Sequence, residues 1–139
     1  MKAKIKWAGD VSFEGTADSG HTLVMDGAPE AGGRNKGARP MELVLIGTGG
    51  CTAFDVMHIL RKSRQEVSGC VAEVEAKRAE TDPKVFTNIH IHFVITGKNL
   101  DPKKVQHAIE LSATKYCSAS IMLAKTAKVT HDFDIVESE

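Results

Sequence analysis

The feature that most constrains the fold is a long apolar segment from Met41 to Lys62. Apolar residues occur on every side of the helix that this segment predicts, so other structure has to cover the helix nearly all round. Glu42, Asp55, His58 and three glycines interrupt the segment, and a lone membrane span would rarely carry them. We therefore expect a buried helix of a soluble protein. Five phenylalanines, one tryptophan and one tyrosine offer little material to cover it, which predicts a partner subunit.

Length and charge exclude several classes of protein. A chain of 139 residues predicts a single domain over 1–139. Lysine plus arginine equals aspartate plus glutamate at 18 each, so no net positive charge attracts nucleic acid or a membrane surface. The first residues alternate charged and apolar side chains and lack the apolar core of a signal peptide. We expect a cytoplasmic protein with neither nucleic acid nor membrane as partner, whose three cysteines form no structural disulfide framework.

The periodicity predicts the order βββ-α-ββ-α-β, an α+β fold with mostly antiparallel pairing. Three short alternating runs in the first forty residues indicate a β-meander. Residues 26–40 hold four glycines and two prolines and form a loop, after which Pro40 suits the first turn of the long helix. Two longer alternating strands follow, and Asp101-Pro102 caps and opens a second helix. One more strand ends the chain.

The three cysteines lie in different settings. Cys51 follows a glycine pair that costs the helix about 2 kcal/mol of propensity, which is tolerated for close packing or because the helix bends beside a site. Cys117 precedes a predicted short helix, Ala119 to Thr126, that Ser118 could cap; N–H groups and the positive end of the dipole there would stabilise a thiolate. Cys70 alternates with acidic residues on a strand and is predicted to be a bystander. Each cysteine could also be a small apolar core residue.

The remaining patterns predict no cofactor site and no metal site. His90 and His92 share one face of a strand and could bind a metal, but a polar outer face explains them better. His58 lies near the same helix face as Cys51, so it either belongs to a site there or makes a polar contact in a dimer core. The loop glycines are not followed by the Gly-Lys-Ser/Thr of a phosphate loop.

Two segments, Gly37 to Ala53 and Cys117 to Ile121, resemble the signatures of the OsmC/Ohr family of organic hydroperoxide reductases. In the first, Gly-x-x-Pro-x-Glu-Leu leads into a helix with a small residue before a cysteine. In the second, a cysteine is followed by small residues and a serine at the start of a helix. The order of strands and helices also matches from end to end. The resemblance implies an OsmC-like fold in an intertwined homodimer, with two long helices at the centre and a sheet on each side.

The resemblance also implies a thiol-dependent peroxidase that reduces organic hydroperoxides. Cys51 would attack the O–O bond and become a sulfenic acid, and Cys117 would condense with it to a disulfide that an external dithiol or thiol protein reduces. The apolar neighbours Ile46, Phe54 and Met57 favour an alkyl hydroperoxide over hydrogen peroxide, since a buried alkyl chain stabilises binding.

Family members add a glutamate and an arginine to this chemistry. Glu42 matches the glutamate, and the candidates for the arginine are Arg34 and Arg39 in the loop before the helix. Glu42 and Cys51 are separated by about 900° of rotation and lie on opposite faces of a straight helix. Either the glycines break the helix, or Glu42 serves Cys51 of the partner subunit, which we favour. A first-turn acid that complements the helix dipole is a further account.

Two other functions are compatible with the same residues. One is a thiol sensor or small-molecule binder that keeps the dimer and its cleft without turning over. The other is a structural dimer whose buried cysteines are inert. An arginine placed at Cys51 discriminates the peroxidase from the sensor.

Overall fold

The computed structural model describes all residues, Met1 to Glu139, which form two compact units, Met1–Val44 and Leu45–Glu139. A single domain over 1–139 stays a prediction. The first unit holds an antiparallel meander in the order β1-β2-β3, with β1 at Ala3–Trp7, β2 at Ser12–Ala17 and β3 at Thr22–Asp26. The predicted meander is confirmed, because alternation and glycine-rich turns are local signals.

The loop after β3 is organised around the buried carboxylate of Asp26. It accepts hydrogen bonds from the backbone N–H groups of Gly27, Arg34 and Lys36 at 2.8, 3.0 and 3.1 Å. These N–H donors, that of Arg34 first, hold the pKa of Asp26 below its ordinary value. A single 3-10 turn, Pro29–Ala31, is the only helical segment between β3 and the long helix.

Helix α1 runs from Pro40 to Lys62, as predicted, with proline in its first turn. The carboxylate of Glu42 accepts the backbone N–H of Arg39 at 2.8 Å, which closes the helix start as in a capping box. The helix continues through its glycines, so the alternative in which they break it is wrong. Gly49 is there for close packing, because a Cβ on it would lie 3.1 Å from Val74 Cγ2.

One chain covers only part of α1. Its buried residues form a single stripe: Thr48, Gly49, Thr52, Val56 and Leu60. Ile46 and Phe54 remain 63% and 71% exposed. In its most apolar window, with a mean hydropathy of 1.6, 28% of the residues are buried, and by length and hydropathy alone the helix could cross a membrane. The cover that we expect from a partner subunit stays a prediction.

The second sheet has the order β4-β5-β6, with β4 at Glu66–Arg78, β5 at Phe86–Lys98 and β6 at Lys128–Glu137. Strands β4 and β5 are antiparallel, whereas β5 and β6 are parallel. The parallel pair needs a crossover, which the intervening helices supply. Mostly antiparallel pairing in an α+β fold is therefore confirmed. The core is built on one face of β5, whose buried apolar side chains are Phe86, Ile89, Ile91, Phe93 and Ile95.

The crossover contains α2, Pro102–Leu111, a π-helical turn over Ser112–Tyr116, and α3, Ser118–Leu123. Asp101 caps α2 as predicted and accepts the N–H of Lys103 at 2.9 Å. The prediction for the last helix is wrong in two respects. α3 ends at Leu123 rather than Thr126, because the N–H groups of Lys125 and Thr126 bond to carbonyls three residues back instead of four. Its N-cap is the sulfur of Cys117 rather than Ser118.

Candidate active site

The fold brings Cys51 and Cys117 together. Their sulfur atoms and a carboxylate oxygen of Asp55 all lie within 4.8 Å of one another. Cys117 is fully buried and Cys51 is partly buried. We call these three residues the sulfur cluster. The two cysteines that the sequence singled out therefore lie close enough to react with each other after a small movement.

A buried serine holds the sulfur cluster in place. The hydroxyl of Ser112 donates to Asp55 Oδ2 at 3.2 Å, and its oxygen lies 2.8 Å from Thr52 Oγ1. Because the one hydroxyl hydrogen of Ser112 is used on Asp55, Thr52 donates to Ser112. The π-helical turn begins at this serine, and the N–H of Cys117 donates to the Ser112 carbonyl at 2.8 Å. Through these hydrogen bonds of Ser112, the turn holds Cys117 close to the face of α1 that carries Cys51.

Burial decides the protonation of Cys117. It raises the pKa of the thiol, and the neighbouring sulfur of Cys51 raises it further, while the hydroxyl and N–H of Ser120 act in the opposite direction. The Ser120 N–H donates to the sulfur at 3.3 Å. The expectation of a stabilised thiolate at this helix start is therefore wrong, since a helix of two turns offsets little of the desolvation. A protonated Cys117 suits a resolving residue better than an attacking one.

Asp55, Ser112 and Thr52 were missed from the sequence. Asp55 follows Cys51 by four residues, one helical turn, so the spacing on a predicted helix could have found it. No local signal joins Ser112 to α1, because the contact depends on the π-helical turn.

The other predicted site residues lie in the first unit. Arg39 Nη1 donates to Asn35 Oδ1 at 2.9 Å, and Arg34 Nε lies 3.6 Å from Asp10 Oδ2. Both contacts are exposed and weakly held. Glu42 caps α1 and so fills the role of a first-turn acid. Whether Glu42, Arg34 or Arg39 acts on a cysteine stays a prediction.

His58 and Cys70 meet at an open cavity of about 440 Å³ beside α1. His58 stacks on Phe54, with ring centroids 6.1 Å apart, and Arg61 and Met57 complete this part of the wall. Of the three cysteines, Cys70 lines this cavity together with His58. Burial raises the pKa of the Cys70 thiol, which agrees with its predicted role as a bystander.

His90 and His92 belong to a polar cluster on the outer face of β5 and β6. His90 Nε2 and His92 Nδ1 lie 2.9 and 2.7 Å from the same Asp132 oxygen. His92 Nε2 lies 3.2 Å from Asp134 Oδ2, and His90 Nδ1 lies 2.6 Å from Thr130 Oγ1. The ring nitrogens are thus satisfied by hydrogen bonds, as a polar outer face predicts.

This cluster predicts a pH dependence of stability. The hydrogen bond to Asp132 is the main cause that raises the pKa of His92 above 6.5, and the bond to His92 is the main cause that lowers the pKa of Asp132 below 3.8. The raised histidine stabilises the fold fully below about pH 6.5 and less as the pH rises through its folded pKa. The lowered carboxyl stabilises the fold above about pH 3.8, so both contributions coexist between these values.

We expect an NMR titration to place the midpoint of His92 above 6.5 and Asp132→Asn to lower it. The matched control is Glu80→Gln. Glu80 is an exposed acid just after the C-terminal end of β4, and its substitution should leave the midpoint of His92 unchanged. An unchanged midpoint in Asp132→Asn would contradict the assignment.

The family model described as OsmC-like protein matches residues 33–132. The chain belongs to the OsmC-like protein family. The resemblance inferred from the two signatures is thereby confirmed.

Individual relatives are similar to the chain over nearly its whole length. Protein YhfA of Escherichia coli strain K12 is 42% identical over 136 residues, which cover 98% of each chain. A crystal structure of a hypothetical protein from Aquifex aeolicus is 29% identical, with a TM-score of 0.87 and coverage of 99% of this chain and 97% of that one. An organic hydroperoxide resistance protein from Legionella pneumophila is 18% identical, with a TM-score of 0.74 and coverage of 96% and 95%. At that identity it shows the shared OsmC-like fold.

Proposed function

We propose that this OsmC-like protein is a thiol-dependent peroxidase that reduces organic hydroperoxides through Cys51 and Cys117. The observation that carries the proposal is the proximity of the two sulfur atoms, within 4.8 Å of each other. Two free cysteines at this range, Cys51 on α1 and Cys117 directly after the π-helical turn, are suited to a reversible disulfide.

The reaction has three steps. The thiolate of Cys51 attacks the outer oxygen of ROOH, the O–O bond breaks, and the alkoxide takes a proton and leaves as ROH. Cys51 is then a sulfenic acid, and the sulfur of Cys117 attacks it, gives up its proton and displaces water. A dithiol or thiol protein supplies two electrons and two protons to restore both thiols. For each cycle, ROOH and one dithiol become ROH, water and a disulfide.

The raised pKa of Cys117 supports this division of roles. Burial keeps its proton in place at neutral pH, so Cys117 does not compete for the peroxide. The partly buried Cys51 is the more accessible sulfur. The Legionella relative carries the description of an organic hydroperoxide resistance protein, which agrees with the same substrate class. Ile46, an exposed apolar residue on α1, would form part of the wall for the alkyl group.

A homodimer is part of the proposal, because the apolar residues of α1 that one chain leaves exposed need cover. In that dimer, Glu42 and either Arg34 or Arg39 would act on Cys51 of the partner subunit, as the unbroken α1 places Glu42 and Cys51 of one chain on opposite faces. The arginine would stabilise the thiolate and the departing alkoxide. The proposed location is the cytoplasm, where dithiol reductants are available.

A thiol sensor or small-molecule binder is the second candidate. It is favoured by the contacts of Arg34 with Asp10 and of Arg39 with Asn35, which engage both guanidinium groups. These exposed contacts are weak enough for either arginine to leave them. A sensor would form the same disulfide once but would not consume peroxide repeatedly with a dithiol present.

Peptide mass mapping tests the proposal. About one equivalent of an alkyl hydroperoxide should convert the reduced protein to a form with Cys51 linked to Cys117 within one subunit, because their sulfurs lie within 4.8 Å. Cys70 should remain alkylatable in the oxidised protein. A Cys51–Cys51 link between subunits, or no change at Cys51, would refute the two-cysteine mechanism.

A further inference from the structure

We propose that the reduced protein binds one zinc-type divalent cation through Cys51, Cys117 and Asp55. Their ligand atoms all lie within 4.8 Å of one another. The sequence predicted no metal site, because Asp55 was not recognised as a neighbour of the two sulfurs. The inference needs only the three side chains in their reduced state and does not depend on peroxide turnover.

The geometry is close to that of a zinc site. With Zn–S near 2.3 Å and Zn–O near 2.1 Å, ligand atoms of a tetrahedral ion are about 3.5 to 3.8 Å apart. Starting from separations within 4.8 Å, the three atoms reach this geometry by moving about 1 Å or less, within the range of side-chain rotation. Three protein ligands leave the fourth position to water, the arrangement of an open zinc site.

The surroundings orient the ligands. Ser112 donates a hydrogen bond to Asp55 at 3.2 Å, and the N–H of Ser120 donates to the sulfur of Cys117 at 3.3 Å. Such outer contacts hold metal ligands in position and raise affinity. Thr52 supports Ser112 in turn, with the oxygens 2.8 Å apart. The contacts are made by buried residues, so they restrict the ligands to a narrow range of positions.

The donor set selects the ion. Thiolate ligands favour zinc over magnesium and calcium, which prefer oxygen. Binding releases the protons of both thiols, so the affinity for the ion rises with pH. A disulfide between Cys51 and Cys117 removes both thiolates. The site therefore exists only in the dithiol form, and a bound ion would protect the two sulfurs from oxidation.

Cobalt titration tests the site without any peroxide. Protein reduced and stripped of metal is titrated with Co²⁺ in the absence of oxygen, and the absorption of tetrahedral cobalt–thiolate is recorded. We expect one ion per chain, displaced by one equivalent of Zn²⁺. Cys51→Ser and Cys117→Ser should each lower affinity by at least about 100-fold, and Asp55→Asn by about 10-fold or more.

Two controls separate this site from others on the chain. Cys70→Ser and His92→Gln should bind cobalt like the unsubstituted protein, because neither residue is in the sulfur cluster. Protein oxidised to the disulfide should not bind. Because Asp55 also bonds Ser112, Asp55→Asn is paired with Asp55→Cys, which keeps a ligand and should retain one tetrahedral ion with stronger sulfur absorption.

Three results would overturn the site: no tetrahedral spectrum in the reduced protein, undiminished affinity in Asp55→Asn, or binding that survives oxidation. A protein that binds cobalt but does not consume peroxide would support the metal site and reject the peroxidase. The reverse result would reject the metal site alone.

Discussion

Replacing Cys51 with serine is expected to lower dithiol-dependent consumption of an alkyl hydroperoxide by at least about a thousandfold, because removing a nucleophile removes the whole covalent route. The assay follows peroxide loss with excess dithiol. Serine has the shape of cysteine with a smaller atom in place of sulfur, so it fits the space of the partly buried Cys51 and should leave the far-UV circular dichroism unchanged.

Cys117→Ser should separate the two halves of the cycle. One equivalent of peroxide is still consumed, since Cys51 retains its thiol, but turnover then stops because no second sulfur condenses with the sulfenic acid. A sulfenic-acid trap should label Cys51, and excess peroxide should drive it to the sulfinic acid. Mass spectrometry of the Cys51 peptide distinguishes these products.

Cys70→Ser is the matched control for both variants. Its thiol is half-buried with a raised pKa, and it lies outside the sulfur cluster, so activity should stay within about twofold. A loss in Cys70→Ser as large as that in Cys51→Ser would show that the assignment of Cys117, rather than Cys70, as the partner of Cys51 is wrong. Equal activity in Cys51→Ser and the unsubstituted protein would reject Cys51 as the nucleophile.

The second large effect is expected on the oligomeric state. The unsubstituted protein should be a dimer by light scattering at micromolar concentration, and Phe54→Asp should shift the equilibrium strongly towards the monomer. Phe54 is 71% exposed in one chain, and burying such a side chain stabilises by about 1.5 kcal/mol or more. In a twofold-symmetric dimer the loss counts twice, about 3 kcal/mol, which raises the dissociation constant about a hundredfold.

Val85→Asp is the matched control, because Val85 is also an exposed apolar residue, at 44%, but lies between β4 and β5 rather than on α1. It should leave the dimer intact. A monomeric unsubstituted protein at micromolar concentration would contradict the dimer and, with it, the proposed action of Glu42 on Cys51 of the partner subunit.

The sequence by itself determined the parts of this protein that depend on local signals. Alternation and glycine turns located the first three strands, Pro40 marked the start of α1, and Asp101 marked the start of α2. Each of these signals acts within a few residues, through a backbone dihedral angle or one hydrogen bond to a neighbouring N–H. The two cysteine signatures also sufficed to identify the OsmC-like family, because they are short contiguous patterns.

The tertiary structure decided what depends on distant residues. The parallel pairing of β5 with β6 follows from the crossover, and the π-helical turn, which no local pattern predicted, carries Cys117 to α1. Burial in the tertiary structure raises the pKa of the Cys117 thiol, whereas the sequence predicted that the helix start would lower it. Desolvation outweighs the hydrogen bond from the N–H at this short helix start. The place of Asp55 in the site also depends on tertiary packing. Its spacing from Cys51 is visible in the sequence, but its approach to Cys117 depends on packing between α1 and the crossover, which brings together side chains from distant parts of the chain.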